Sequence, residues 1–378
     1  MFSSRLRWNQ PANRLSTLLA AKRAAGEPVL DLTESNPTRA GFAYPEALLE
    51  PLADLRALHY EPLPQGLLSA RKAVAEYYCG AISVDRILLT ASTSEAYSYL
   101  FQLLADPSDE ILSPRPSYPL FEFLAGLSSV TIRQYPMRYD GSWHIDFAAI
   151  EQSISPRTRA IVVVNPNNPT GSFLKPEELD RLDTLAAQRG IAIIADEVFS
   201  DYGFSAHGVT TLAGQRKALT FSMSGLSKIA ALPQLKLGWI VASGPNHAEA
   251  MQALELIADT YLSVSTPVQI ALPSLLHAGL ALRTQIARRT LANLAILRTT
   301  LKDSAGGVLN VEGGWYAVVQ VPRTRSEEEW VLGLLEQRNV VVQPGFYFDF
   351  ESEAFLVISL LTPPATFADG IKRLHTFL

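Results

Sequence analysis

Short apolar runs alternate along the chain with stretches whose apolar residues recur at helical spacing. Residues 87–89, 110–112, 160–164, 191–195, 219–222 and 237–241 are mainly apolar, the pattern of strands buried on both faces. Helical stretches lie between most of them, for example 95–104 and 176–188. The second of these opens on Pro176 and closes before Gly190. The alternation predicts an α/β large domain over about 45–260, a mostly parallel sheet covered by helices on both faces.

The last third has a different rhythm. A long amphipathic stretch, 280–301, leads into apolar runs at 308–311 and 315–321, with Gly313-Gly314 between them as a hairpin signal. A helix near 326–337, strands at 340–342 and 355–359 and a final helix follow. This predicts a small α+β domain over 261–378. Residues 1–44 are expected to join it, because the turn at 31–37 precedes the first helix of the large block. The chain shows no repeat, low-complexity tract or long linker.

Composition narrows the class. With 378 residues, 48% of them hydrophobic and 18% charged, the chain can bury a large core and is not of the disordered type. Its 32 basic and 37 acidic side chains leave a net charge of −5, against a nucleic-acid partner. Cys79 stands alone, so no intrachain disulfide is expected, which fits a reducing compartment. Residues 1–10 hold charges without the apolar run of a signal peptide. The longest apolar runs fall far short of the roughly 20 residues of a membrane helix. A cytoplasmic protein with no membrane partner is expected.

The densest local signal is Asn165-Pro-Asn-Asn-Pro-Thr-Gly171, directly after the run 160–164. Such a composition makes a tight turn. In an open α/β sheet the same place, the carboxyl end of a strand, is where ligands bind. Asp196-Glu197 closes the run 191–195, 28 residues after Asn168, and suits a helix cap, a metal ligand or the same crevice. Another 32 residues on, Lys228 ends the turn Ser222-Met-Ser-Gly-Leu-Ser-Lys228. A lysine in such a turn is ordinarily solvated. Taken together, an amide, a carboxylate and an amine on three consecutive strand tips suit a lysine Schiff base with an acid-partnered pyridine ring.

In this ordered set of motifs, which spans nearly the whole chain, the sequence resembles the class I/II aminotransferases, fold-type I pyridoxal-phosphate enzymes. The resemblance implies that Lys228 carries pyridoxal 5'-phosphate and moves the substrate proton. It implies that Asp196 keeps the pyridine nitrogen protonated, that Asn168 donates to the phenolic oxygen, and that Tyr118 in Pro116-Ser-Tyr-Pro119 stacks on the ring. Ser92 and Thr93 match the phosphate loop at a helix start, although Ser92 stands where the family usually has glycine. The plain alternative there is a helix N-cap. Lys236 matches the phosphate arginine, keeping the charge and losing the bidentate fork. Ser224, ranked above Ser227, is expected to add a hydroxyl. Tyr60 in Tyr60-Glu-Pro-Leu-Pro-Gln-Gly66 resembles the tyrosine that reaches a neighbouring subunit's phosphate, which implies a homodimer with shared sites.

Two departures stand out. Phe199 occupies the place of a family tyrosine that donates to the phenolic oxygen, and Val357 the place of the arginine that grips the substrate carboxylate. Arg39 and Arg115 are the candidates for that grip, because each lies beside a motif expected to line the site. His59, His144, His207, His247, His277 and His375 show no metal-type spacing, so no metal is expected. Trp143 and Trp239 read as packing. Glu177-Glu178 and Glu327-Glu-Glu329 read as first-turn helix acids.

The implied activity is transfer of an amino group from an L-amino acid to a 2-oxo acid by a ping-pong path. The alternative within the same cofactor class is a C–S lyase or another α,β-eliminating enzyme. A nucleotide-binding dehydrogenase is disfavoured by the lack of Gly-x-Gly-x-x-Gly after a first strand. A cofactor-sensing regulator of this fold would usually carry an added DNA-binding domain.

Overall fold

The computed structural model describes residues 2, 3, 5, 13–205 and 211–378. Its strands are β1 (Leu30–Asp31), β2 (Ile87–Thr90), β3 (Glu110–Arg115), β4 (Thr131–Tyr139), β5 (Trp143–Ile145), β6 (Thr158–Val164), β7 (Ala192–Asp196), β8 (Thr220–Gly225), β9 (Gly238–Ser243), β10 (Gly307–Val308), β11 (Tyr316–Gln320), β12 (Val340–Val341), β13 (Gln343–Pro344) and β14 (Phe355–Ser359). Strands β2 to β9 form one sheet in the order β2-β9-β8-β7-β6-β3-β4-β5. The run β8-β7-β6-β3-β4 is parallel throughout. Strand β9 is antiparallel to both its neighbours, and β5 is antiparallel at the far edge. The segment between β8 and β9 holds one α-helix of four residues, Leu226–Ile229, and no crossover helix, so β9 returns alongside β8.

Side chains alternate across the sheet with period two. Val162, Ile194 and Met223 point to one face, where they pack with Tyr97, Leu100 and Phe101 of the helix Thr93–Leu104. Ile161, Val163, Ile193 and Ala195 point to the other, against Leu179, Leu182 and Ala186 of the helix Pro176–Arg189. Both faces are therefore covered by apolar side chains. The same count puts Asp196 on the face of Ala192 and Ile194, toward Thr93–Leu104.

A second, antiparallel sheet runs β10-β11-β14-β13. The N-terminal segment joins this part of the molecule: β1 pairs in parallel with β12, and Leu32 packs with Trp330, Leu334 and Phe367. The amphipathic stretch expected at 280–301 belongs to a longer helix, Thr266–Thr300, which runs through Pro273. Its Leu272, Leu275, Leu282 and Ile286 pack with Trp239 of β9, and its Leu294 and Leu297 with the second sheet. No described helix is long and apolar enough to cross a membrane.

The hairpin expected around Gly313-Gly314 has the right centre but short arms. Gly307 faces Gln320 and Val308 faces Val319. Beyond that the chain leaves the sheet: Gly313 bridges to Gly203, and the Gly314 N–H donates to the Tyr202 carbonyl at 2.9 Å. A Cβ at Gly313 would lie 2.6 Å from that same carbonyl oxygen, so only glycine allows the approach. Glu327 is more than a first-turn acid: it is buried and accepts the backbone N–H groups of Phe346 and Phe355, each at 2.7 Å.

Candidate active site

A cavity of about 170 Å³ opens at the carboxyl ends of β6, β7 and β8. Its lining includes Asn168, Asp196 and Lys228, so the three strand tips do converge. Ser92 and Thr93 reach it from the start of the helix Thr93–Leu104, and Tyr118 from the segment after β3. Ser35 and Tyr316 reach it from the N-terminal segment and the second sheet.

Lys228 sits on the one-turn helix after β8. Burial pushes its amine down to about 8, against the pull of Asp196 in the other direction. The ammonium lies over the rings of Trp315, 4.9 Å from the centroid, and Phe199, 5.5 Å from it. Its backbone is held too, since the Tyr202 hydroxyl donates to the Lys228 carbonyl at 2.6 Å. A lysine so placed reaches its neutral, nucleophilic form at a far lower pH than a solvated one.

Asp196 ends β7 and is buried, which pushes its carboxyl up to about 6. The Val198 N–H donates to Oδ1 at 3.2 Å and the Tyr97 hydroxyl to Oδ2 at 3.1 Å. Asn168 is buried in the turn after β6, which Asn167 braces by accepting from the Thr170 hydroxyl at 2.9 Å. The Asn168 Oδ1 is buried without a hydrogen-bond partner among the described residues. Asn168 lines the cavity, and its amide nitrogen is the donor it can offer a ligand there.

Ser92 caps the helix, its hydroxyl accepting from the Glu95 N–H at 3.2 Å. The cap and an anion-binding helix start are compatible, since other N–H groups of that first turn stay available. A Cβ at Gly238 would meet the Ser92 carbonyl carbon at 3.3 Å and the Ser224 carbonyl oxygen at 3.0 Å, so β9 packs tightly under the loop. Ser227 lines the cavity. Ser224, ranked first from sequence, is fully buried within β8 and is not among the lining residues. Lys236 is exposed just before the lining residues Leu237 and Gly238.

Three other candidates lie outside the cavity. Tyr60 is 75% exposed beside Leu63, Tyr99 and Ser263. Arg39 is exposed, four residues beyond the lining residue Ser35. Arg115 is paired with Glu351 at 2.5 Å. Val357 is fully buried in an apolar cluster with Trp143, Leu309, Val318 and Phe348, a setting that excludes an unpaired charge. Trp143 and Trp239 are both buried, and His207 lies outside the described residues. Among the described residues, no group of three His, Cys, Asp or Glu is placed to hold a metal ion.

Sequence reasoning missed Tyr97 and Tyr316; Ser35 opens the motif before Arg39 that was expected to line the site, and it does. Tyr97 had a usable signal: it lies one helical turn after Thr93, on the face later occupied by Leu100 and Phe101. Tyr316 is brought in from a distant segment and had none.

The family model for aminotransferase class I and II matches residues 27–374. The chain belongs to that family. It is an aminotransferase. The alanine aminotransferase of Mycobacterium bovis is 30% identical, over 95% of this chain and 87% of the relative. The glutamate-pyruvate aminotransferase AlaA of Haemophilus influenzae is 29% identical, over 93% of this chain and 91% of its own length. Among solved structures, an aminotransferase from Escherichia coli superposes with a TM-score of 0.87 at 26% identity, covering 100% of this chain and 98% of that one. The alanine aminotransferase of Pyrococcus furiosus, at 24% identity and a TM-score of 0.90, shares the fold over 100% of this chain and 99% of its own. The aminotransferase assignment and the fold-type I architecture expected from sequence are thus established.

Proposed function

We propose that this aminotransferase uses pyridoxal 5'-phosphate, held by Lys228, Asp196, Asn168, Tyr118 and the Ser92–Thr93 helix start, to exchange amino groups between an L-amino acid and a 2-oxo acid. The observation that carries the reading is the convergence of amine, carboxylate and amide in one cavity. When bound, the cofactor supplies an electron sink for the substrate carbanion. Asp196 holds the charge that keeps the ring nitrogen protonated, and the Lys228 amine takes and returns the substrate proton. Of the other candidates Ser227, which lines the cavity, is the hydroxyl placed to contact the phosphate; Ser224, buried within β8, and Lys236, exposed outside the cavity, would reach it only if the turn between β8 and β9 shifted when the cofactor binds. Residues 45–260 form the cofactor domain in this reading, and 1–44 with 261–378 the small domain.

The test is spectroscopic. Protein mixed with pyridoxal phosphate should absorb near 420 nm. An amino donor supplied without acceptor should convert that band stoichiometrically to the pyridoxamine form. Release of pyruvate with return of the original band would instead identify an eliminating lyase. The names of the relatives make L-alanine, L-glutamate and pyruvate the first compounds to try.

Exposed Leu55, Leu58 and Tyr60, with Leu256 and Tyr261 on the helix His247–Tyr261, support a homodimer in which Tyr60 reaches the partner's phosphate. Location in the cytoplasm completes the proposal.

Arg39 is the better candidate for the substrate carboxylate. Arg115 is engaged by Glu351, and Arg39 starts from the cavity-lining turn at Ser35. Arg39→Ala should lower kcat/KM for the amino acid about tenfold or more with cofactor retention unchanged, and Arg115→Ala should change it less. The reverse order would transfer the role to Arg115.

Phe199 lines the cavity with an apolar edge and no hydroxyl. When the lysine–cofactor bond loses its proton, the phenolic oxygen carries most of the negative charge, and donors to that oxygen favour the deprotonated form. Phe199→Tyr should therefore move the pH midpoint of the visible band downward. A spectral titration of both proteins reads this directly, and an unchanged or higher midpoint would contradict it.

A further inference from the structure

The Tyr97 hydroxyl makes a hydrogen bond of 3.1 Å to Asp196 Oδ2, and both residues are buried. Packing alone does not ask for that hydroxyl. The ring is only 2% exposed and sits against Phe101 at 5.9 Å and Phe121 at 5.3 Å, an environment in which phenylalanine would fit. We propose that Tyr97 is a positioning residue for Asp196: its phenol fixes the carboxylate and holds its negative charge at the floor of the cavity, where the pyridine nitrogen is to lie. The proposal rests on the reading of the cavity as a cofactor site.

The surroundings of Asp196 leave Tyr97 few substitutes. One carboxylate oxygen receives the Val198 N–H and the other receives Tyr97. Lys228 attracts the carboxylate without a direct hydrogen bond. The adjacent Glu197 is itself occupied, by the Thr211 hydroxyl at 2.6 Å and the Leu212 N–H at 2.5 Å. Burial and the nearby carboxylate hold the Tyr97 phenol well above its ordinary pKa, so it keeps its proton and donates. A hydrogen bond to a charged acceptor is among the stronger kinds, and a buried carboxylate that loses one of two donors tends toward its neutral form.

Tyr97 is also coupled to the ring-facing residue. The Phe121 ring stands edge-on to Tyr97 at 5.3 Å and to Tyr118 at 6.5 Å. One aromatic ring thus braces the residue expected on the cofactor's face and the one that steers the acid beneath it.

The test is a mutant cycle read on cofactor binding. Tyr97→Phe keeps the ring and removes only the hydroxyl. In the otherwise wild-type protein it should weaken pyridoxal-phosphate affinity, followed by fluorescence titration, about tenfold. In an Asp196→Asn background the same substitution should change affinity by less than about twofold, because the charge it serves is gone. Equal losses in both backgrounds would mean that Tyr97 only packs, and no loss in the first would mean that Asp196 does not need it. A wild-type protein that takes up no pyridoxal phosphate would overturn the site reading itself, an outcome distinct from the other two.

Discussion

Replacing Lys228 with alanine is expected to lower kcat by about 10⁴-fold, because the proton relay and the covalent anchor are lost together. Borohydride reduction of the wild-type holoenzyme, followed by peptide mapping, should place the phosphopyridoxyl label on Lys228. A label on Lys236 would overturn the assignment, and the geometry argues against that outcome: Lys228 lines the cavity beside Asp196, whereas Lys236 is exposed outside it. The lysine leaves a second signature in the cofactor-free protein. Burial lowers it from 10.5 to about 8, so between those values the folded state binds fewer protons than the unfolded chain. Its contribution therefore makes stability rise with pH across that window. Lys228→Met should flatten this slope in urea melts and stabilise the protein below about pH 8, exchanging activity for stability. An unchanged slope would show that the amine is not buried in solution.

The elements that build the site were legible because they are buried on both sides. Strands β6 and β7 are mainly apolar, and β8, Thr-Phe-Ser-Met-Ser-Gly, adds small residues that pack in the same interior, so their ends, and with them Asn168, Asp196 and Lys228, could be located from the chain alone. Strand β4 was not, since its sequence Thr-Ile-Arg-Gln-Tyr-Pro-Met-Arg-Tyr carries the polar residues of a partly exposed strand near the sheet edge. Lys236 shows a different limit. Its spacing from Lys228 matched the family pattern, but a left-handed backbone at that residue, with φ of 51°, decides where the side chain leaves the turn, and spacing carries no such information. Tyr316 comes to the cavity from β11 of the second sheet and meets there the N-terminal segment, whose β1 pairs with β12 roughly three hundred residues away, a contact that no local pattern encodes. Val357 stands where the resemblance implies an arginine. Its burial among Trp143, Leu309 and Phe348 explains why no charge can stand there.

Asp196→Asn should lower kcat by about 10²–10³-fold while leaving the fold intact, because an amide fills the space of the carboxylate without its charge. The neutral side chain removes the electrostatic reason for the ring nitrogen to hold a proton, and the cofactor then accepts the substrate's electrons less well. The pH dependence separates this from a loss of packing. In the cofactor-free protein burial raises Asp196 from 3.8 to about 6, so its charge disappears as pH falls through 6. Pyridoxal-phosphate affinity should fall over the same range in the wild type, and this component should be absent in Asp196→Asn. The stability of the cofactor-free protein should show the opposite trend. Between pH 3.8 and about 6 the folded carboxyl binds more protons than the unfolded one, so its contribution makes stability fall as pH rises through that window. Affinity and stability measured on the two proteins from pH 4 to 8 test both signs at once. If the asparagine variant kept the affinity change, the titrating group would be another one, with Glu197, raised to about 7 by its own burial, the next to replace.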